Sequence, residues 1–142
     1  MKRIFIDSSV LFSALYSDRG HSSDLLKMAA RKEIVLVLND VVLEESRRNL
    51  ARYGQELVAY FDLIVESIPF EVVELTTEEI IEAARRVVLK DAPILAAARK
   101  AKADLLVSLD KKHLLGKPEL AAFAGVEIVT PLEAIAYLRK SN

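Results

Sequence analysis

The sequence predicts an α/β fold in which a parallel sheet is covered by helices on both faces. Short, continuously apolar runs recur along the chain, each bounded by polar or turn-forming residues. Between them lie stretches whose apolar residues repeat at helical spacing. Strands apolar on both sides are those buried between two helical layers, and alternation with helices is what parallel connection requires. No low-complexity tract, long linker or internal repeat interrupts the order, and 142 residues is near the commonest size of one compact unit. A single domain over residues 1–142 is expected.

Taken in order, Ile4 to Ile6 forms the first strand. Leu25, Leu26, Met28 and Ala29 define a helix over 22–31, with Ser22 or Ser23 as its cap. "EIVLVLND" holds a buried strand over 34–38, and Asp40 is expected to cap a helix through Leu50. Gly54 breaks the pattern before a helix over 56–66. "PFEVVEL" reads as a strand through Phe70, Val72 and Val73. Thr76 and Glu79 have capping-box spacing and open a helix expected to reach about residue 89. Asp91 is the expected cap of the next helix, "APILAAARKA", which tolerates Pro93 in its first turn. A strand over 105–108 follows, then "VEIVTP" as the last strand, and Pro131 starts a closing helix to about residue 139.

Composition narrows the chemistry. Apolar residues make up 52% of the chain, with only 4 Gly and 4 Pro, a packed rather than a disordered composition. The absence of cysteine removes disulfides, thiolate zinc sites and cysteine nucleophiles together. Two histidines cannot build a three-histidine centre, so any metal must rely mainly on oxygen ligands. A histidine-pair ribonuclease is disfavoured, because His21 and His113 sit in separate polar segments and read as surface residues. No uncharged run approaches the ~18 residues of a membrane span, and no signal-peptide core follows the start. A soluble, cytoplasmic protein is expected. The net charge of −1 gives no general attraction to a polyanion, so a nucleic-acid partner would need a local basic patch.

Two strands deliver an aspartate at the carboxyl end: "RIFIDSSVL" at Asp7 and "LLVSLDKKHLL" at Asp110. The blander account of each is a turn or helix cap. In an open parallel sheet, however, the carboxyl ends are where ligands bind. Glu44 and Glu45 separate by helical projection. Glu44 points away from Val42, Leu43 and Leu50 and precedes Arg48 by four residues, an exposed pair. Glu45 borders the buried face and can reach a cleft above the sheet. Asp91 can cap and still offer an oxygen to a metal. Ser108, two residues before Asp110, points to the same side of the strand. Were Asp7, Glu45, Asp91 and Asp110 to converge, their mutual repulsion would resist joint ionisation without a cation. Magnesium or manganese is the chemistry that suits such a set.

On these positions the sequence resembles the PIN-domain family, which includes the VapC-type toxins. The likeness runs through "FIDSSVL", "VVLEESRRNL", "DAPILAAARKAKADLLVSLDKKHLL" and "GVEIVTP". The family's first acid, in an Asp-x-Asn/Ser pattern, falls on Asp7 with Ser9. Its helix acid falls on Glu45, its third acid on Asp91, and its Thr/Ser-x-Asp element on Ser108 and Asp110. Many relatives carry a further acid directly after that aspartate, whereas here Lys111, Lys112 and His113 follow. Ser108 also stands where threonine is common.

The resemblance implies a three-layer α/β/α sandwich with about five parallel strands, commonly dimeric, whose acids line one pocket. It implies a Mg2+- or Mn2+-dependent endoribonuclease leaving a 5′-phosphate and a 3′-hydroxyl, with an antitoxin partner if the protein is a toxin. Asp7, Glu45, Asp91 and Asp110 would be catalytic and metal-binding, with Ser9 and Ser108 supporting them. Arg47, Arg48, Arg52, Lys111 and Lys112 are the candidate RNA contacts. The competing expectation is a non-catalytic module of the same fold that binds RNA or protein.

Overall fold

The computed structural model describes residues 1–140. Five parallel strands, β1 (Arg3–Ile6), β2 (Val35–Leu38), β3 (Glu71–Val72), β4 (Leu105–Val107) and β5 (Glu127–Val129), lie in the order β3-β2-β1-β4-β5. β1 is central. Ile4 is in register with Leu36 on one side and Leu105 on the other, and Phe5 with Val37 and Leu106. All six of these side chains are buried, which is why the strands read as unbroken apolar runs rather than alternating ones.

The chain builds outward from β1 through β2 to β3, then returns to the other side of β1 for β4 and β5. The order therefore reverses between β1 and β4, and a crevice is expected above their carboxyl ends. Among the described residues, eight helices complete the three layers: α1 (Ser8–Tyr16), α2 (His21–Ala30), α3 (Asp40–Ala51), α4 (Gln55–Ser67), α5 (Thr77–Ala84), α6 (Ala92–Ala101), α7 (Pro118–Ala124) and α8 (Pro131–Lys140). α1 packs against α2 and α3, α2 against α8, and α6 against both α5 and α7. Leu11, Leu36, Leu50, Leu95 and Leu106 are at most 1% exposed and tie the helices to the sheet. Burial of each such side chain contributes roughly 1.5–3 kcal/mol. No described helix is long and apolar enough to cross a membrane.

Several elements depart from the sequence reading. α1 follows Asp7 immediately and α7 lies between β4 and β5, and both are additional to the expected set. The cap of α3 is Asn39, whose side chain accepts from the Val42 N–H, while Asp40 is the first helical residue. Placed there, Asp40 complements the helix dipole instead. The capping box at Thr76 and Glu79 is present with both reciprocal hydrogen bonds. Its helix nevertheless ends at Ala84, well short of residue 89, and a 3-10 turn at Leu89–Asp91 leads into α6. Gly54, at φ 134°, takes a backbone conformation that side-chain-bearing residues rarely adopt and separates α3 from α4.

Candidate active site

The crevice predicted by the strand order is present as a cleft of about 230 Å³. Asp7, Ser9, Glu45, Asp91 and Asp110 line it, together with Phe12, Asn49 and Lys90. Four elements deliver the four carboxylates. Asp7 leaves β1, Glu45 lies on α3, Asp91 ends the 3-10 turn before α6, and Asp110 follows β4. Three further bonds set the frame. Asp7 N–H donates to the Val107 carbonyl at 3.2 Å. Asn39 Nδ2 donates to the Pro93 carbonyl at 3.2 Å, joining the start of α3 to that of α6. Ser46 Oγ donates to the Ser8 carbonyl at 3.4 Å, holding α3 on α1.

Asp7 is only 5% exposed. Its Oδ1 accepts from the Val10 N–H and the Ser9 hydroxyl, and its Oδ2 accepts from the Ser108 hydroxyl. Capping and site membership thus coincide in one carboxylate. Each serine also accepts from the loop after β4: Ser9 Oγ from the Leu109 N–H at 3.1 Å, Ser108 Oγ from the Asp110 N–H at 2.9 Å. The two hydroxyls therefore lock the ends of β1 and β4 together through Asp7. Burial pushes the Asp7 pKa above the usual carboxylate range and the nearby Asp110 charge adds to it, although hydrogen bonds from Ser108, Ser9 and Val10 oppose the rise.

Asp91 was expected to cap α6, and it does not: its side chain makes no capping bond. The residue sits at φ −96°, ψ −7°, on the helical side, from which the carboxylate turns into the cleft rather than back to its own amides. It is 7% exposed, and its Oδ2 is buried with no hydrogen-bond partner. Burial raises its pKa, followed by repulsion from Asp110, against attraction to Lys90 and His113.

His113 corrects a second expectation, for it is not a surface residue. The turn after Asp110 brings it back half-buried, with Nδ1 3.2 Å from Asp110 Oδ2 and 3.8 Å from Asp91 Oδ2. Ligand atoms of Asp91, Asp110 and His113 lie within 4.8 Å of one another, close enough for one ion to accept all three. Burial works to raise the Asp110 pKa, but hydrogen bonds from the His113 N–H and ring and the Lys112 N–H outweigh it and hold the group below its ordinary value.

Glu45 is half-buried at the cleft and Glu44 exposed, as the projection requires. Burial raises the Glu45 pKa, with Lys90 and Arg48 lowering it and Asp91 and Asp7 raising it again. Among the basic candidates, Arg48, Arg52, Lys111 and Lys112 are exposed, and Arg47 forms a two-point pair with Asp62 at 3.0 and 3.1 Å. Lys90, missed in the sequence, is the lysine that lines the cleft; adjacency to Asp91 was the available signal.

These shifts give the metal-free protein a pH signature. Asp7, Glu45 and Asp91 have raised pKa values in the folded state. Each contributes stability that is complete below its unfolded pKa and is lost as pH rises through its folded pKa. Asp110 has the opposite sign, so its contribution is lost only as pH falls through a value below 3.8. In chelator, the melting temperature should therefore be higher near pH ~4, close to the unfolded values, than near pH ~7.5, and Asp7→Asn should flatten the difference. A wild-type melting temperature that drops steadily on acidification through that interval would refute it.

A family model described as PIN domain matches residues 4–115, a span that contains all four carboxylates and His113. No curated protein matches the sequence. Among solved structures, the chain is similar to VapBC2 from Rickettsia felis bound to a DNA fragment from their promoter, at 13% identity and TM-score 0.66, covering 90% of this chain and 98% of that one. PAE2754 from Pyrobaculum aerophilum is similar at 19% identity and TM-score 0.66, covering 98% and 96%. VapC20 from Mycobacterium tuberculosis, a sarcin–ricin loop cleaving toxin, is similar at 20% identity and TM-score 0.60, covering 77% and 91%. Identities this low speak to the fold, and the fold agrees with the family match. The chain belongs to the PIN domain family.

Proposed function

We propose that this protein is a magnesium- or manganese-dependent endoribonuclease. The observation that carries the proposal is the convergence of Asp7, Glu45, Asp91 and Asp110 on one cleft, with a buried Asp91 oxygen left without a hydrogen bond. A buried polar atom without a hydrogen bond is costly, and a cation is the partner that also offsets repulsion among the acids. Asp91, Asp110 and His113 are the residues that would hold it directly. Their mixture of carboxylate and imidazole favours manganese over magnesium. Asp7, fixed by three hydrogen bonds, keeps lone pairs for the same ion or for its water.

A divalent ion bound here would acidify a water and offset charge on the phosphate. Glu45, a cleft residue with a raised pKa, would take the proton from that water, and Lys90, which also lines the cleft, would face a phosphate oxygen. Attack would form a water-oxygen–phosphorus bond and break the bond to the 3′-oxygen, which takes a proton from solvent water, leaving a 5′-phosphate and a 3′-hydroxyl. Arg48, Arg52, Lys111 and Lys112 would contact phosphates farther along the strand. The same reading takes residues 1–142 as one cytoplasmic domain that pairs as a homodimer and is restrained by a small antitoxin. The likeness to VapBC2 and to the toxin VapC20 supports the antitoxin partner.

The deciding assay is cleavage of mixed RNA with manganese, magnesium or chelator. Cleavage that needs the ion supports the proposal; tight RNA binding with no cleavage under any ion would make the protein a binding module instead. Within that assay, Glu45→Gln should lower the single-turnover rate by roughly a hundredfold or more, the range expected for a general base. Glu44→Gln should stay within a few-fold of wild type. Equal defects in the two would remove Glu45 from the chemistry.

A further inference from the structure

We propose that Tyr16 and Tyr53 form a stacking platform for an unpaired base of single-stranded RNA beside the acidic cleft, an inference that rests on the ribonuclease reading. The Tyr16 ring stacks on Phe12 with centroids 5.4 Å apart and planes 16° apart, and Tyr53 meets Tyr16 edge-on at 4.9 Å. Phe12 closes the trio at 5.8 Å from Tyr53. Phe12 packs against the core and also forms part of the cleft wall, so the trio begins where the carboxylates end.

The two tyrosines have a different character from Phe12. They are 52% and 59% exposed, so the pair turns aromatic surface to solvent beside a polar cleft. Rings serving only to seal the α1–α3 seam would be covered by it.

Helical spacing connects the platform to the site on both helices. On α1, Ser9, Phe12 and Tyr16 recur three and four residues apart, which aligns them on one face. On α3 and the turn that ends it, Glu45, Arg48, Asn49, Arg52 and Tyr53 do the same. Glu45 and Tyr53 are thereby separated by roughly 12 Å along the helix direction, with two exposed arginines between. Carboxylate cleft, cations and aromatic faces in sequence form a track suited to a phosphate backbone whose bases are free to splay. A duplex, whose bases are already stacked inside, could use the cations but not the rings. An apolar protein segment would find its aromatic contacts interrupted by those arginines.

The test measures fluorescence anisotropy of a labelled single-stranded RNA octanucleotide, and of the same sequence as a duplex, in chelator so that binding is read without cleavage. The proposal expects the single strand to bind more tightly than the duplex. Tyr16→Ala/Tyr53→Ala should weaken single-strand binding roughly tenfold and leave duplex binding unchanged. Tyr16→Phe/Tyr53→Phe, which keeps both ring faces, should restore wild-type affinity. With manganese, the alanine pair should raise KM at unchanged kcat. Equal binding of single strand and duplex, an alanine pair that binds like wild type, or equal losses on both RNAs would overturn the platform. The two readings fail separately. An alanine pair that loses single-strand affinity in a protein that never cleaves RNA supports the platform and ends the nuclease proposal. Ion-dependent cleavage with unchanged KM and affinity does the reverse.

Discussion

Asp7→Asn should reduce metal-dependent RNA cleavage by roughly a thousandfold or more, the scale set by several kcal/mol of lost charge stabilisation at ~1.36 kcal/mol per tenfold. The folded state should survive. Asparagine keeps an oxygen for the Val10 N–H and the Ser9 hydroxyl, and it is as good an N-cap as aspartate. Its amide nitrogen would face Ser108 Oγ, whose lone pairs can receive a donor in place of the present bond. Because burial penalises the Asp7 charge, removing that charge should leave metal-free stability unchanged or raised. Asp7→Ala separates the two roles, since it deletes the cap as well and should cost about 0.5–2 kcal/mol. Cleavage at the wild-type rate by the asparagine variant, with its melting temperature intact, would show that Asp7 is a cap alone.

Manganese should raise the melting temperature of the wild type substantially. An ion bound only by the folded state adds RT ln(1 + [L]/Kd), about 2.7 kcal/mol at 100 times Kd. At about 2.1 cal/mol/K of unfolding entropy per residue, that corresponds to a shift of roughly 9 °C for this chain. Asp110→Asn should shrink the shift, and so should Asp7→Asn, although a hundred or so residues separate them. The double variant should lose less than the sum of the single losses, because groups serving one ion are not independent. Strict additivity, or a shift indifferent to both changes, would mean that the two carboxylates do not share an ion.

Much of this arrangement was legible because buried parallel strands leave an unmistakable record of apolar runs, and two of the runs, β1 and β4, lead directly into a cleft aspartate. Helical projection placed Glu45 at the cleft and Glu44 in solvent for the same reason: half-burial is a property of one face. What escaped has physical causes. α1 begins one residue after Asp7, so the polar step Asp7-Ser8-Ser9 holds the cap and first turn of a helix where it reads as a loop. Residues 85–88 continue a plausible helical pattern, yet the chain leaves the helix there before the 3-10 turn that brings Asp91 into the cleft. Tertiary placement overrides local propensity at that point. His113 was hidden because its position depends on a turn closed by Asp110 itself, whose Oδ1 accepts from the Lys112 and His113 N–H groups. Asp91 read as a cap because the residue type fits, yet its side chain makes no capping bond and its carboxylate lines the cleft with one oxygen unsatisfied.

The central position of β1 has a consequence for the order in which the protein comes into being. The first strand made needs a neighbour, β4, whose residues arrive about a hundred positions later: Ile4 pairs with Leu105, and Asp7 with Ser108. Contacts so distant in sequence form late, since the chain between them must be ordered before they yield any gain. During synthesis β1 and β2 can pair while Asp91, Asp110 and His113 do not yet exist. A chain interrupted before residue 105 lacks both the strand that anchors Asp7 and two of the three clustered donors, Asp110 and His113. The cleft is thus completed only by the last strands of the sheet to be made.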